Sequence, residues 1–501
     1  MKLFTSEIQK QWDRQTVTVK HQQSIDLMEL AAECCTQAIL ESDFFGHFLV
    51  ICGTGNNGGD GLAMACLLRE AGMVVEVLII GSSDQGSPEF KTNLQRVMNT
   101  DIPVRFFESG HPLHTRQETV IIDCLFGVGV NREVVGLQAE AIHKINQSQC
   151  SIISVDVPSG MFSDAMEPQM GPVVKANLTL ALHIPKRAFL FAENHLYVGR
   201  LQILSLLLDD AFEEQQACDI IYYCWTEAMA HYRPRNDHDY KNKLGHGLII
   251  GGSEGKMGAV LLSSEACMRS GAGLCTMHIP QQGHLMAQID LREAMVSLDS
   301  ETHFISQFPE LSKFNAVGLG PGLGMHERTQ QMLLNLIKSI KAPIVLDADA
   351  LNILAINNAW EALPPMSIIT PHLGEFDRLF GVHNNNFERI KKMLEIAKNH
   401  QIVIVLKGHF TAIASPDGQL SFNGSGFKGL ATAGSGDVLV GIITGLLCQG
   451  YDAAVAARLG VFLHGEAGHH AGVELSIETM LAGDIISHLS KPFSQLNEIK
   501  P

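Results

Sequence analysis

The strongest constraint on the fold is one pattern that runs twice along the chain. Short apolar runs of strand length end in Gly or an acid and alternate with helix-like segments. The first series comprises "HFLVICG" (47–53), "VVEVLIIG" (74–81), "TVIIDCLFG" (119–127), "CSIISVDVPSG" (150–160) and "ANLTLAL" (176–182), with "DGLAMACLLREAG" (60–72) as a helix. The second opens at "HGLIIGGS" (246–253) and the helical "GAVLLSSEACMRSGAG". It continues through "NAVGLGPG", "PIVLDADAL", "SIITPH" and "IVIVLKG". Strands buried on both faces and alternating with helices predict parallel sheets, so the fold class is α/β. Between the series lies "DDAFEEQQACDIIYYCWTEAMAHYRPRNDHDYKNK", polar, aromatic and Pro-containing, which marks a domain boundary. The halves show no clear repeat. Two different domains are expected, 1–218 and 225–501, because 501 residues exceed what one core supports.

A net charge of -17 argues against nucleic acid as the main partner, since neutralising phosphates needs clustered Lys and Arg. The N-terminal "MKLFTSEIQKQWDRQ" lacks the apolar core of a signal peptide, and the most apolar runs are too short or too interrupted to span a bilayer. Eleven Cys with no CxxC pair read as reduced thiols of a cytoplasmic protein without membrane partners. His469 and His470 lack metal-ligand spacing to any Cys or acid, so no zinc is assigned.

Two places carry chemistry. In "GTGNNGGDG" (53–61), Gly53, Gly55 and Gly58 satisfy G-x-G-x-x-G between a strand and a helix, a setting that favours an anion. Asn56, Asn57 and Asp60 add oxygens of the kind a hard cation or sugar hydroxyl wants. Asp123 ends a strand in "DCLFGVG", and Asp156 and Ser159 end the next in "DVPSG". Ligands of open parallel sheets bind beyond the carboxyl ends of strands, so these groups are expected in one crevice. Each acid alone also fits a helix cap or a turn.

The second place is "LATAGSGDVLVGIITGLLCQG" (430–450). Gly434 and Gly436 precede an apolar helix, where backbone N–H groups form an anion hole, and Asp437 stands at the helix entrance. A helix cap is the plainer role for that Asp, but a cap does not explain the flanking glycines. "GGSEGKMGA" (251–259), "GLGPGLG" (318–324), "LDADALN" (346–352), "TPHLGEFDRL" (370–379) and "VLKGHFTAI" (405–413) join the theme, with His372, Glu375, Lys407 and Thr411 as polar groups.

The ordered set "GNNGGDG", "DCLFGVG" and "DVPSG" resembles the NAD(P)H-hydrate epimerase family over roughly residues 1–215. The later motifs, from "YKNKLGHGLIIGGSEGKMGA" through "MRSGAGL", "GPGLG", "VLDADALN", "TPHLGE" and "LKG" to "ATAGSGD", resemble the ADP/ATP-dependent NAD(P)H-hydrate dehydratases of ribokinase-like fold. The resemblance implies a Rossmann-like three-layer domain followed by a ribokinase-like α/β domain. It implies that the dinucleotide is a damaged substrate, NADHX or NADPHX, and not a redox cofactor. Asn56, Asn57, Gly58, Gly59 and Asp60, with Gly127, Val128, Gly129, Val130, Asn131, Arg132 and Glu133, would line the epimerase substrate. Asp156 would be the acid/base residue, and K+ would sit near Asn57, Asp123 and Ser159. Ala259, Gly322, His372 and Asp437 would contact the hydrate in the second domain. Lys407, Gly408, His409, Phe410, Thr411 and Gly436 would contact ADP or ATP, with ADP favoured. Mg2+ is expected for the phosphate charge, and a homo-oligomer is expected because both parent families form them. Val157, Leu373 and Ser435 replace residues the families usually carry. Ser435 keeps a hydroxyl and its N–H, so the cradle should survive, whereas Leu373 could loosen the His372 loop. A ribokinase-type small-molecule kinase with an accessory nucleotide-binding domain is the alternative, and a binding or scaffold module a third.

Overall fold

Strands that bury every side chain occupy the middle of the N-terminal sheet, as the unbroken apolar runs predict. The computed structural model describes residues 1–116 and 118–499. Within it the chain divides into two compact units, Lys2–Cys218 and Asp219–Pro501, the latter also taking in Met1.

The first unit holds β1 (His47–Cys52), β2 (Val74–Ile79), β3 (Val104–Phe106), β4 (Thr119–Cys124), β5 (Ser151–Val155), β6 (Leu178–Leu182) and β7 (Arg200–Leu204). They form one parallel sheet in the order β3-β2-β1-β4-β5-β6-β7. Alternation along β1 builds two cores. Phe48, Val50 and Cys52 pack in a cluster with residues of α2 (Ser24–Leu40) and α3 (Asn56–Glu70), while Leu49 and Ile51 join Ala141, Ile142 and Ile145 in another. The helix α1 (Ser6–Val19) precedes them and buries Trp12 and Thr16. The strand order reverses between β1 and β4, which opens a crevice at their carboxyl ends.

One boundary differs from the sequence expectation. The helix after β1 starts at Asn56 and not at Asp60, so "NNGGD" is its first turn and not a free loop. Glycine permits this. A Cβ on Gly58 would stand 1.9 Å from the Gly53 carbonyl oxygen, a clash that only backbone movement relieves. Gly58→Ala is therefore expected to destabilise the N-terminal unit by about 1–3 kcal/mol. Calorimetry should show its transition falling by several degrees.

The second unit contains β8 (Ile220–Tyr223), β9 (His246–Ile250), β10 (Leu274–Ile279), β11 (Met295–Leu298), β12 (Ala316–Leu319), β13 (Ile344–Leu346), β14 (Ile368–Ile369), β15 (Val403–Leu406), β16 (Ala412–Ala414) and β17 (Leu420–Asn423). Their order is β11-β10-β9-β12-β13-β14-β15-β16-β17-β8. The parallel expectation holds from β11 to β15 but not at β16, which pairs antiparallel with both neighbours. Both causes are local: the 407–411 turn, closed by Thr411 on Gly408, folds β15 back onto β16, and "SPDGQ" turns the chain at Gly418, φ +86°, into β17. Here the order reverses between β9 and β12.

Four helices matter to this unit's site: α4 (Met257–Arg269), α5 (Asp349–Ile356), α6 (Leu373–Phe380) and α7 (Ser435–Cys448). Helix α7 is buried along most of its length and lies against α4. A Cβ on Gly441 would come within 2.1 Å of the Ser263 carbonyl oxygen, so the bare backbone sets the closeness of the two helices. No helix among the described residues is long and apolar enough to cross a membrane.

Candidate functional sites

The N-terminal site is assembled from three strand ends. Asn57, in the first turn of α3, donates from Nδ2 to the carbonyls of Phe126 (2.9 Å) and Val155 (3.3 Å). Its Oδ1 is buried without a hydrogen-bond partner. Asp123 is fully buried at the end of β4. Its Oδ1 accepts from the Ser159 hydroxyl (2.6 Å), and its Oδ2 from the Ser159 N–H (2.9 Å) and the Ser154 hydroxyl (2.8 Å). Burial pushes the Asp123 carboxyl up, against the pull of these hydrogen bonds. Asn57, Asp123 and Ser159 thus form one oxygen-rich cluster, with an orphaned amide oxygen, beneath the crevice.

Asp156 follows β5 with φ +66°, a strained conformation for a non-glycine residue. Its carboxylate lies 2.9 Å from Nζ of Lys186, which is only 2% exposed. Gly127 approaches the same carboxylate, and a Cβ there would stand 3.3 Å from Oδ2. Asp156 opens onto a cavity of about 790 Å³ shared with Asn56, Asp60, Val128, Asp13 and Lys186. Burial pushes Asp60 well up, helped by Asp156 and Asp13. Burial also pushes Asp13 up to about 6, with Lys186 opposing and Asp156 adding.

Several expected groups do not line this cavity. Gly58 and Gly59 serve packing, against Gly53 and Met28. Of the 127–133 turn only Val128 lines the cavity; Gly129, Val130, Asn131, Arg132 and Glu133 do not, and Glu133 stands beside Gly171. Asp13 and Lys186 were not anticipated. Lys186 was open to the strand-end rule, since it follows β6 in "HIPK". Asp13 gives only the weak signal of an acid beside a buried Trp on an amphipathic helix.

The C-terminal site gathers around α7. Gly434 caps the helix and no side chain bonds the cap, so Asp437 is not spent on capping. Burial, with Asp347 nearby, pushes Asp437 up to about 6, against the pull of Lys407. Lys407, just after β15, lies 2.8 Å from Asp347 and 3.9 Å from Glu375. Gly436 sits over this pair, with its Cβ position 3.2 Å from Asp347 Oδ2 and 3.6 Å from Lys407 Nζ. The Ser435 hydroxyl meets Nε2 of His464 at 3.1 Å, and burial pushes that imidazole down to about 4, so it is neutral. Ala259 and Gly322 adjoin, the Cβ position of Gly322 being 3.2 Å from the Ala259 Cβ.

His372 does cap its helix. Its Nδ1 accepts from the N–H of Gly374 (3.0 Å) and of Glu375 (3.4 Å), while Glu375 accepts from the His372 N–H (2.9 Å). The ring is half exposed, with Nε2 3.5 Å from Glu375. Past Lys407 the chain is fixed by the Thr411 hydroxyl, which donates to the Gly408 carbonyl (2.9 Å). His409 and Phe410 pack edge to face, and Tyr222 of β8 lies near Phe410. Asp349 accepts from Lys256 (3.1 Å) and the Gly324 N–H (2.9 Å), tying the β9 and β12 loops to α5.

Two α/β units, each gathering aspartates and a lysine beyond the carboxyl ends of its parallel strands, define a two-site enzyme of small-molecule chemistry. The family model described as YjeF-related protein N-terminus matches residues 24–188, and that described as NAD(P)H-hydrate dehydratase matches 247–491. A bifunctional NAD(P)H-hydrate repair enzyme of Moorella thermoacetica is 32% identical over 525 residues, covering 99% of this chain and 98% of the relative. The crystal structure of an ADP/ATP-dependent NAD(P)H-hydrate dehydratase from Bacillus subtilis, co-crystallised with ATP/Mg2+, is 31% identical. It covers 56% of this chain and 100% of its own, with a TM-score of 0.50. A ribokinase-like superfamily protein from Enterococcus faecalis is 26% identical, covers 56% of this chain and 98% of its own, and gives the same TM-score of 0.50. The chain belongs to the family of bifunctional NAD(P)H-hydrate repair enzymes, which joins an epimerase to a dehydratase. The resemblance drawn from the motifs and the α/β class with a ribokinase-like second half are both borne out.

Proposed function

We propose that the unit Lys2–Cys218 inverts the R hydrate of NADH or NADPH to S at Asp156. The unit Asp219–Pro501 then removes water from the S form at Asp437, consuming ADP or ATP. The observation that carries this reading is the placing of these two aspartates, Asp156 after β5 and paired with Lys186, Asp437 in the first turn of α7 and under the pull of Lys407, which follows β15. Hydroxide is a poor leaving group. Asp437 takes the proton of the ring hydroxyl as that oxygen accepts phosphate from the nucleotide, and elimination of phosphate then restores the nicotinamide. The N–H groups at the start of α7 stabilise the transferring phosphate. Lys407 and the 408–411 turn hold the nucleotide, while Ala259, Gly322 and His372 hold the hydrate.

Mg2+ suits this site and would neutralise phosphate charge. It binds through one or two carboxylates plus phosphates, for which Asp347 and Asp349 are the donors at hand. Among the described residues no group of three His, Cys, Asp or Glu stands ready to hold a metal alone, and none is needed for that mode. K+ suits the N-terminal cluster, where the orphaned Asn57 Oδ1 joins the Asp123 and Ser159 oxygens; it would supply charge for the phosphate-bearing substrate. The reading keeps the protein a cytoplasmic homo-oligomer that prefers ADP, as the motif resemblance implies.

The test supplies mixed R and S hydrate and follows NADH absorbance with ADP or ATP. Asp156→Ala should recover the S portion at the normal rate and leave the R portion to its slow spontaneous inversion. Unchanged processing of R would remove Asp156 from its role, and no recovery with either nucleotide in the unaltered enzyme would remove the dehydratase.

A further inference from the structure

Besides Asp60, the cavity beside Asp156 holds an acid on another wall that the chemistry above does not use. Asp13 reaches it from α1, while Asp156 enters from the end of β5. Helix α1 is pinned in place. The Ser6 N–H and hydroxyl donate to Asp164 (2.8 and 2.7 Å), Gln9 accepts from Lys186 (3.0 Å), and the Trp12 indole donates to the Asp209 carbonyl (2.8 Å). Trp12 is 1% exposed, so its neighbour cannot swing away without unseating the helix. Asp13 is half-buried, and its carboxyl faces the cavity and makes no hydrogen bond among the described residues, whereas an acid held only for structure is paired. Lys186 is already committed to Asp156, Gln9 and two carbonyls.

We propose that Asp13 is a second catalytic carboxyl of the epimerase, working on the hydrate from the α1 wall while Asp156 works from the β5 end. This rests on the Asp156 reading above. The hydrated ring carbon carries a hydroxyl and is bonded to the ring nitrogen. Neutral Asp13 gives its proton to that hydroxyl. The C–O bond breaks, its electron pair leaves with water, and the nitrogen lone pair closes a C=N bond. A water then attacks the opposite face, the C=N pair returns to nitrogen, and the attacking water loses a proton to the Asp156 carboxylate. One water leaves and one enters. The proton gained by Asp156 returns to Asp13 through solvent in the cavity, and the S-to-R direction uses the same steps with the two acids exchanged.

Burial holds Asp13 near 6 and so keeps a protonated fraction at neutral pH. The charged and titratable groups that share its cavity are Asp60 on α3, Asp156 after β5, His183 and Lys186 after β6, and Glu7, Lys10 and Arg14 on α1. The proton donor must be neutral, so R-to-S inversion should fall as pH rises through about 6.

The full chain is assayed for inversion and, separately, for dehydration of pure S hydrate. Asp13→Asn should lose about 10²-fold or more in inversion, lose the decline through that pH range, and keep its dehydration rate. Asp13→Glu should restore part of the rate together with the decline, which a purely structural role would not do. In heavy-oxygen water without nucleotide, S hydrate formed by the unaltered enzyme should gain one solvent oxygen per turnover beyond the spontaneous rate. If Asp156→Asn loses inversion while Asp13→Asn keeps the rate and pH profile, the Asp13 assignment fails and Asp156 stands. If neither variant loses it, both fail. Retention of the original oxygen overturns the water-exchange step.

Discussion

Asp437→Ala should abolish recovery of NADH from either hydrate, with a loss of about 10³-fold or more. Both routes end at this carboxyl, since the R form must first become S. The side chain is close enough to Asp347 and Lys407 to feel their charges and does not cap its helix, so its removal leaves the start of α7 intact. Binding of nucleotide, followed by quenching or calorimetry, should therefore survive in the variant. A second consequence follows from charge. The group acts as a base and must be ionised, while burial and the Asp347 carboxylate hold it up at about 6. Dehydration of S hydrate should rise with pH through about 6 and level off above 7, the reverse of the inversion step. A flat profile between pH 5 and 7 would remove Asp437 from the base role.

These opposed profiles belong to two sites that were legible to different degrees. Position along a strand was readable. The apolar runs located the ends of β1, β4 and β5, and the geometry indeed brings Asn57, Asp123 and Ser159 together there. Local chemistry misled at two points. Gly58 and Gly59 read as loop, yet they open a helix because their missing side chains let it seat against Gly53 and Met28. "SPDGQ" carried a hairpin signal that the prevailing parallel pattern obscured. What no local pattern contains is pairing across the chain. Lys186 meets Asp156, and Gln9 and Asp13 reach the same place from α1, more than a hundred residues away in sequence. Likewise the two open roles of Asp437 differ only in which group caps α7, and that depends on Gly434 holding a left-handed φ of +87°.

Lys186→Met should both destabilise the N-terminal unit and disable inversion. The lysine is 2% exposed, its ammonium is bonded to Asp156, Gln9 and the carbonyls of Leu182 and Ile184, and methionine keeps its length but no donor. Removing one partner of a buried ion pair costs about 3–5 kcal/mol; the cavity lets water reach Asp156, which favours the lower end, about 3 kcal/mol. The transition of this unit should fall by roughly 6–12 °C in calorimetry. The chemistry shifts in a defined direction as well. Lys186 is what pulls the Asp13 carboxyl down against its burial, so without it Asp13 should hold its proton to higher pH. Whatever inversion survives should then decline with pH later than in the unaltered enzyme, while dehydration of S hydrate keeps its own profile. Arginine should not substitute, because a planar guanidinium does not fit a pocket of four converging oxygens built around a single ammonium. A Lys186→Met enzyme with normal stability and an unmoved decline would mean that the lysine lies on the cavity wall without holding either acid.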